Sequence, residues 1–233
     1  MVTGSGAQEN NLNTPFMPKK VKQILILLII LVFPSLVYVL LSTGVHKHKS
    51  LPILGEKYVE NGDTVYHTIA DFEFTNQYGE KVSNQDLEGK IVVVDFFFTT
   101  CGTICPNMTG NMARLQEWFR NEDDVLILSH TVNPEYDTVD ILEEYAKEYG
   151  AIKGKWHMVT GDKEEIYKMG VKSYLIPTQE DPLAPGGFLH SEMFVLIDRS
   201  GHIRGFFNGT DNNEVQDLIN GIKFLRLDKS ENI

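Results

Sequence analysis

The stretch IVVVDFFFTTCGTICP, residues 91–106, contains a strand-like run and both cysteines of this 233-residue chain. Residues 91–98 are β-branched or aromatic apart from Asp95, which predicts a strand buried on both faces of a sheet. Residues 108–119 carry apolar side chains at helical spacing, so a helix is predicted there. The segment between them, which holds the cysteines, therefore joins the end of a core strand to a helix.

Strands and helices alternate through the rest of the chain. This order predicts an α/β domain with parallel strands in a mixed central sheet flanked by helices, and a late hairpin through residues 199–201 adds an antiparallel edge. Ligands of such sheets bind at the carboxyl ends of the strands, where the cysteine segment lies. Further strands are predicted at 64–74, 125–129, 156–159, 193–198 and 202–207, and further helices at 138–149, 162–169 and 214–227.

An apolar run near the N-terminus, ILILLIILVFPSLVYVLL at residues 24–41, has no charge over 18 residues and is long enough to cross a bilayer. Three lysines precede it and two follow, which favours a cytoplasmic N-terminus. The alternative is a cleaved signal peptide, with residues 42–44 as a cleavage pattern. In either case the rest of the chain is exported.

The chain therefore divides into segments that lie in different cellular compartments. We predict a cytoplasmic tail at 1–23, a transmembrane helix at 24–41, a tether at 42–60 and one domain at 61–233. Residues 1–20 contain no arginine, which argues against a mitochondrial transit peptide. A single-pass protein of a bacterial inner membrane, with its domain in the periplasm, is the simpler setting.

The charge is unevenly distributed between these segments. The net charge is −11, but residues 1–49 carry +4, so the exported part carries −15. A domain this acidic argues against nucleic acid as a partner, because phosphate binding needs a surplus of lysine and arginine. It suits cationic partners or metal ions instead.

The two cysteines, Cys101 and Cys105, are four residues apart and precede Pro106. Proline is best tolerated in the first turn of a helix, whose positive end then faces the thiols and favours thiolate over thiol. The spacing is compatible with a dithiol, a disulfide or two ligands of one soft metal ion. A purely structural disulfide is the alternative, but a bridge closing so small a loop removes little chain entropy.

Three segments carry motifs: residues 97–106, FFTTCGTICP; residues 129–134, SHTVNP, with Asp137-Thr138 after them; and residues 189–191, LHS, before the last hairpin. The first is similar to the signature of the Sco/SenC family, and the other two resemble further segments of that family. Its members are membrane-anchored copper-binding proteins with a thioredoxin-like fold. The resemblance extends from about residue 66 to 227.

This resemblance implies a ligand set for copper. It assigns Cys101 and Cys105 as thiolate ligands and His190 as the imidazole ligand, a soft three-coordinate set that suits Cu(I) and holds Cu(II) with a further ligand. His190 lies where many thioredoxin-like proteins have a proline, which favours metal binding over plain disulfide exchange. The chain departs from the family pattern at Gly102 and Asn133, neither of which is a ligand.

The resemblance also implies the function. The first hypothesis is a chaperone that helps metallate the CuA centre of cytochrome c oxidase, with the CuA-bearing subunit as partner and a separate copper donor. The second is an enzyme, a thiol-disulfide reductase, in which Cys101 attacks, Cys105 resolves the mixed disulfide and a thiol reductant restores the pair. The third is a structural or redox-sensing module with no metal.

Other residues that could bind metal are interpreted as structural. His46 and His48 fit an interfacial flank of the membrane helix. His130 fits a position in the core, or one near the cysteines that supports the ligands without binding metal. Met108 and Met112 fit core packing. His67, His157 and His202 read as ordinary strand residues without an evident partner. Residues 177–187 form a Pro/Gly-rich surface loop that is a candidate to gate the site or meet a partner.

Overall fold

The computed structural model describes residues 18–44, 51–176 and 191–228. The chain divides into two compact units, Met1–Ser50 and Leu51–Ile233. The sheet and both cysteines belong to the second unit.

The first unit contains one long helix, α1 (Lys19–Gly44), which has Pro34 in its interior. Its segment Lys19–Tyr38 is long and apolar enough to cross a membrane, with a mean hydropathy of 2.3. The Ser35 hydroxyl donates a hydrogen bond to the Leu31 carbonyl, 3.1 Å away, one turn back along the helix. The helix thus extends beyond the predicted 24–41 at both ends, while residues 1–17 and 45–50 of the predicted tail and tether lie outside the described residues.

The described part of the second unit is built around a seven-stranded sheet with the strand order β4-β3-β7-β6-β5-β8-β9. Strands β5, β6 and β7 are parallel, and the remaining pairs are antiparallel, so the predicted mixed α/β fold is confirmed. In chain order, the elements are β1 (Lys57–Glu60), β2 (Asp63–Tyr66), β3 (Glu73–Asn76), β4 (Lys81–Ser83), α2 (Asn84–Leu87), β5 (Ile91–Phe97), α3 (Cys105–Trp118), β6 (Val125–Thr131), α4 (Val139–Glu148), β7 (Trp156–Thr160), α5 (Lys163–Lys168), a π-helical turn (Met169–Ser173), β8 (Met193–Ile197), β9 (Ile203–Asn208) and α6 (Asn212–Leu227).

Strand β5 lies in the middle of the core. All seven of its residues are buried, as predicted from its apolar sequence. It pairs in parallel with β6 from Ile91↔Val125 to Phe97↔Thr131 and antiparallel with β8 on its other side. Because β5, β6 and β7 are parallel, their carboxyl ends meet at one edge of the sheet, and the cysteine segment begins there.

One predicted strand was wrong. Residues 64–74 do not form a continuous strand but divide into β2, which pairs with β1 in a separate two-stranded sheet, and β3, which joins the main sheet. The β1–β2 hairpin turns at Asn61 and Gly62, whose φ angles are 52° and 93°. Asn-Gly is the dipeptide that favours such a turn, so the signal for this hairpin was present in the sequence.

The segment before β1 is tied to the domain by a buried arginine. Arg204 of β9 donates to the Leu51 and Pro52 carbonyls at 3.2 and 3.3 Å, and to the Asp198 carboxylate at 2.8 Å. The Leu54 N–H also donates to the Ile203 carbonyl, 2.8 Å away. A buried guanidinium needs these acceptors, so residues 51–60, which we predicted as tether, belong to the compact unit.

Removing the Arg204 side chain tests this buried ion pair. Arg204→Met leaves the Asp198 carboxylate buried without its cation, which should lower the free energy of unfolding by about 3–5 kcal/mol, measured by urea denaturation. Lys147→Met is the control, because Lys147 pairs with Glu143 at 2.7 Å but both side chains are exposed. The control should barely move the unfolding midpoint, and similar small effects of both substitutions would contradict the role of Arg204.

Candidate metal and dithiol site

The cysteine segment lies between the end of β5 and the start of α3. Cys105 is the first residue of α3, and Pro106 is in the first turn, where its missing N–H leaves no helical bond unmade. The Cys105 backbone N–H donates to the sulfur of Cys101, with 3.5 Å between nitrogen and Sγ. The positive end of the helix therefore faces the first thiol, as the sequence predicted.

Both thiols are free and buried, so the structure describes the reduced pair. Cys101 is 7% exposed and Cys105 is 1% exposed. The first cysteine is thus the more accessible, as the reductase hypothesis requires. The Cys101 Sγ also lies 3.6 Å from the hydroxyl oxygen of Thr103.

The two thiols differ in acidity. Burial raises the pKa of Cys101, but hydrogen bonds from the Cys105 thiol and from Thr103 outweigh burial and hold that pKa below its ordinary value. Burial raises the pKa of Cys105, and the hydrogen bond that its thiol donates to Cys101 raises it further. Cys101 therefore ionises first, with Cys105 as the protonated donor beside it.

Asp95 of β5 is a site residue that the sequence reasoning missed. Its side chain is buried, and its Oδ1 has no hydrogen-bond partner among the described residues. Burial raises the pKa of Asp95 to about 7, against the opposing effect of a hydrogen bond with Ser129. Its negative charge also raises the pKa of Cys105. The available signal was a lone acidic residue within an otherwise apolar strand.

Asp137, in the loop between β6 and α4, supports the cysteine segment. Its fully buried carboxylate accepts hydrogen bonds from the Thr99 N–H at 3.2 Å, from the Thr99 hydroxyl and from the Thr131 hydroxyl. Thr99 lies two residues before Cys101, and Thr131 ends β6. Asp137 therefore holds the start of the cysteine segment against the end of β6.

The third predicted ligand, His190, lies outside the described residues, as do residues 177–187 and the pair His46 and His48. Within the described ranges, no group of three His, Cys, Asp or Glu side chains comes together that could hold a metal ion. The described part of the chain supplies two of the three predicted ligands, Cys101 and Cys105.

The remaining candidates are structural. Met108 and Met112 are buried, which confirms their packing role. His130 is fully buried and stacks on Phe96, with ring centroids 5.1 Å apart. Its Nε2 lies 3.2 Å from the Tyr174 hydroxyl, and burial lowers the pKa of His130 to about 3.

The other three described histidines do have partners, contrary to the sequence interpretation. The His67 Nε2 lies 2.7 Å from the Ser173 carbonyl oxygen. The His157 Nδ1 lies 3.1 Å from the Asn76 side-chain amide, and the His202 Nδ1 lies 3.5 Å from Asp198 Oδ1. These contacts lie within the fold and do not involve the cysteines.

The fold and the position of the two cysteines define the class, a thioredoxin-like domain with a cysteine pair between the carboxyl end of its central strand and a helix. The SCO1/SenC family model matches residues 61–223. The chain belongs to the SCO1/SenC family, which confirms the resemblance of its motifs.

Individual relatives agree with this assignment. The SCO1 protein homolog of Bacillus subtilis is 33% identical over 163 residues, covering 69% of this chain and 84% of the relative. The structure of BsSco, a Sco-family cytochrome c oxidase assembly protein with a disulfide switch, is 33% identical, covers 70% of this chain and 95% of that one, and has a TM-score of 0.62. Copper-bound ScoI of Arabidopsis thaliana is 28% identical to this chain, and the match has a TM-score of 0.56. It covers 68% of this chain and 98% of the ScoI chain.

The difference in thiol acidity predicts selective alkylation. In the reduced wild-type protein at pH 7.5, iodoacetamide should modify Cys101 at least about tenfold faster than Cys105, because one pKa unit changes the thiolate fraction about tenfold. Peptide mass spectrometry over time measures both rates in one sample. Equal rates, or faster modification of Cys105, would contradict the assignment of Cys101 as the more acidic thiol.

The buried Asp95 predicts a pH-dependent stability. The folded protein keeps this proton up to about pH 7, whereas the unfolded chain releases it near its ordinary pKa of 3.8. Stability contributed by this group is therefore lost as pH rises from about 4 to 7. As the pH rises through that window, the free energy of unfolding of Asp95→Asn should increase relative to that of the wild type by about 1.4 kcal/mol per pH unit. Above about pH 7 the difference should stay constant.

Urea unfolding of the reduced protein between pH 4 and 8 measures this difference. Asp140→Asn, at an exposed position of α4, controls for the loss of one charge. Parallel stability profiles for Asp95→Asn and the wild type would refute the buried, protonated state of Asp95.

Proposed function

We propose that this protein is a membrane-anchored copper-binding chaperone that helps metallate the CuA centre of cytochrome c oxidase. The observation that carries the proposal is the reduced cysteine pair, held around the first turn of α3 with the Cys105 N–H directed at the Cys101 sulfur. Copper-bound ScoI of Arabidopsis and the oxidase-assembly protein BsSco, both of the same family, support it.

The cysteine pair has the chemistry of a soft-metal site. Two thiolates with the imidazole of His190 form a three-ligand set suited to Cu(I), and a further ligand or water would accommodate Cu(II). Copper binding must release the thiol protons. The acidic Cys101 loses its proton readily, and the copper charge replaces the proton on Cys105, so the difference in acidity does not prevent both from binding.

The N-terminal helix gives the proposed protein its location. Because Lys19–Tyr38 is long and apolar enough to span a membrane, we place it as a single-pass anchor in a bacterial inner membrane, with the domain in the periplasm. The residues before this anchor then lie in the cytoplasm. The charge of −15 on the exported part suits the approach of a metal ion or a cationic donor.

A second candidate function, thiol-disulfide reduction, is favoured by the unequal acidity of the thiols. The Cys101 thiolate attacks a partner disulfide and releases one partner thiolate. Cys105 then passes its proton to the released partner thiolate and attacks the mixed disulfide, which releases the second partner thiolate and leaves a Cys101–Cys105 disulfide. Two electrons pass to the partner, here the cysteines of the CuA-bearing subunit, and a thiol reductant must return them. The same disulfide removes both sulfur ligands and would release copper.

A histidine substitution separates the two functions. His190→Ala should weaken copper binding by about 100-fold or more, which is a larger loss than is usual when a residue that supports a ligand is removed. The rate of thiol-disulfide exchange with a small disulfide should stay near the wild-type value. Chelator competition measures the copper affinity, and His157→Ala is the matched control, since His157 contacts Asn76 in the sheet.

Two results would contradict the chaperone function. The first is a reduced wild-type protein that takes up no copper at micromolar concentration. The second is full retention of copper by the double variant Cys101→Ser, Cys105→Ser, which would place the metal elsewhere. Unchanged copper affinity in His190→Ala, with both cysteines still required, would remove His190 from the ligand set.

A further inference from the structure

Asn111 is a buried amide on the helix that begins with Cys105. Its side chain is 4% exposed, and its Nδ2 donates to the Gly209 carbonyl with 2.7 Å between nitrogen and oxygen. Its Oδ1 accepts a hydrogen bond from Arg114 at 3.0 Å. Asparagine is a poor helix former, and this one directs its amide to a loop outside its own helix.

Gly209 also binds the segment before β8. Its N–H donates to the Glu192 carbonyl, 2.6 Å away. A Cβ on Gly209 would come within 2.6 Å of the Phe194 ring, so only glycine lets the backbone pack this closely. The Asn208 side-chain amide also donates to the Glu192 carboxylate at 3.1 Å. One residue, Gly209, thus links Asn111 to Glu192.

The two ends of this link are each a few residues away in the sequence from a ligand of the proposed copper site. Asn111 lies six residues after Cys105, about 9 Å along the axis of the same helix. Glu192 lies two residues after His190 in the sequence. Because a helix moves as a rigid element, the Asn111–Gly209 bond fixes the distance between the helix that carries Cys105 and the start of β8.

We propose that Asn111 is a positioning residue for the copper site. It acts through Gly209 to hold the start of β8 at the distance from the two thiols that the copper ligand set requires. This inference rests on the proposed function, and it adds a residue that the cysteine and histidine motifs do not contain.

Gln116 offers a matched comparison on the same helix. It is 3% exposed, its Nε2 donates to the Gly150 carbonyl at 3.0 Å, and its Oε1 accepts from the Ile152 N–H at 2.8 Å. Like Asn111, Gln116 donates its side-chain amide to a loop carbonyl, but it holds the segment between α4 and β7. A merely structural role predicts the same behaviour for both residues.

The experiment compares Asn111→Asp with Gln116→Glu in the detergent-solubilised full chain. Each substitution removes one N–H donor to a loop carbonyl and adds one negative charge, and Asn111→Ala with Gln116→Ala repeats the comparison without the charge. Chelator competition measures copper affinity, and electron paramagnetic resonance of the Cu(II) form reports on ligand geometry.

We expect both Asn111 variants to bind copper at least about tenfold more weakly, with a changed Cu(II) spectrum. Both Gln116 variants should keep the wild-type copper affinity and spectrum, even where their melting temperatures fall as much as those of the Asn111 variants. Wild-type copper binding in the Asn111 variants, or equal changes in the Gln116 variants, would overturn the positioning role.

A copper-free measurement keeps this inference separate from the proposed function. Amide hydrogen exchange at Gly209 in the reduced apoprotein should accelerate in the Asn111 variants and stay unchanged in the Gln116 variants. If the wild type binds no copper, the proposed function fails and exchange alone decides: faster exchange at Gly209 supports the link from α3 to β8, and unchanged exchange overturns it.

Discussion

The parallel pairing of β5 with β6 is the constraint on which the site depends. Both strands are buried along their whole length, and their pairing is continuous from Ile91↔Val125 to Phe97↔Thr131. Their carboxyl ends are therefore fixed side by side, and the Asp137 carboxylate joins them through Thr99 and Thr131. The cysteine segment leaves the sheet from this fixed point.

Electrostatics then give the two cysteines different properties within a short segment. The start of α3 and the hydrogen bonds to Cys101 lower the pKa of that thiol, while burial raises the pKa of Cys105. One arrangement thus serves both proposed chemistries, because a low-pKa thiolate is at once a good soft-metal ligand and a good nucleophile. The proposed role of the link from Asn111 to Glu192 concerns metal binding, because the link acts on the start of β8.

The sequence predicted the features that depend on local pattern. The buried strand, the parallel order, the last hairpin and the position of Cys105 at a helix start all follow from apolar spacing and from Pro106. It did not separate β2 from β3, because alternation in residues 64–74 does not show where a chain leaves one sheet and enters another. The environment of Asp95 and the partners of Asn111 depend on contacts between elements far apart in the chain, which no local pattern encodes.

The central claim is that one copper ion is held by both thiolates of this cysteine pair together with one imidazole. X-ray absorption spectroscopy of the reduced full chain, loaded with one equivalent of Cu(I), tests it most directly. The account predicts two sulfur donors and one nitrogen donor on the copper. A copper ion surrounded by nitrogen and oxygen donors alone would contradict it.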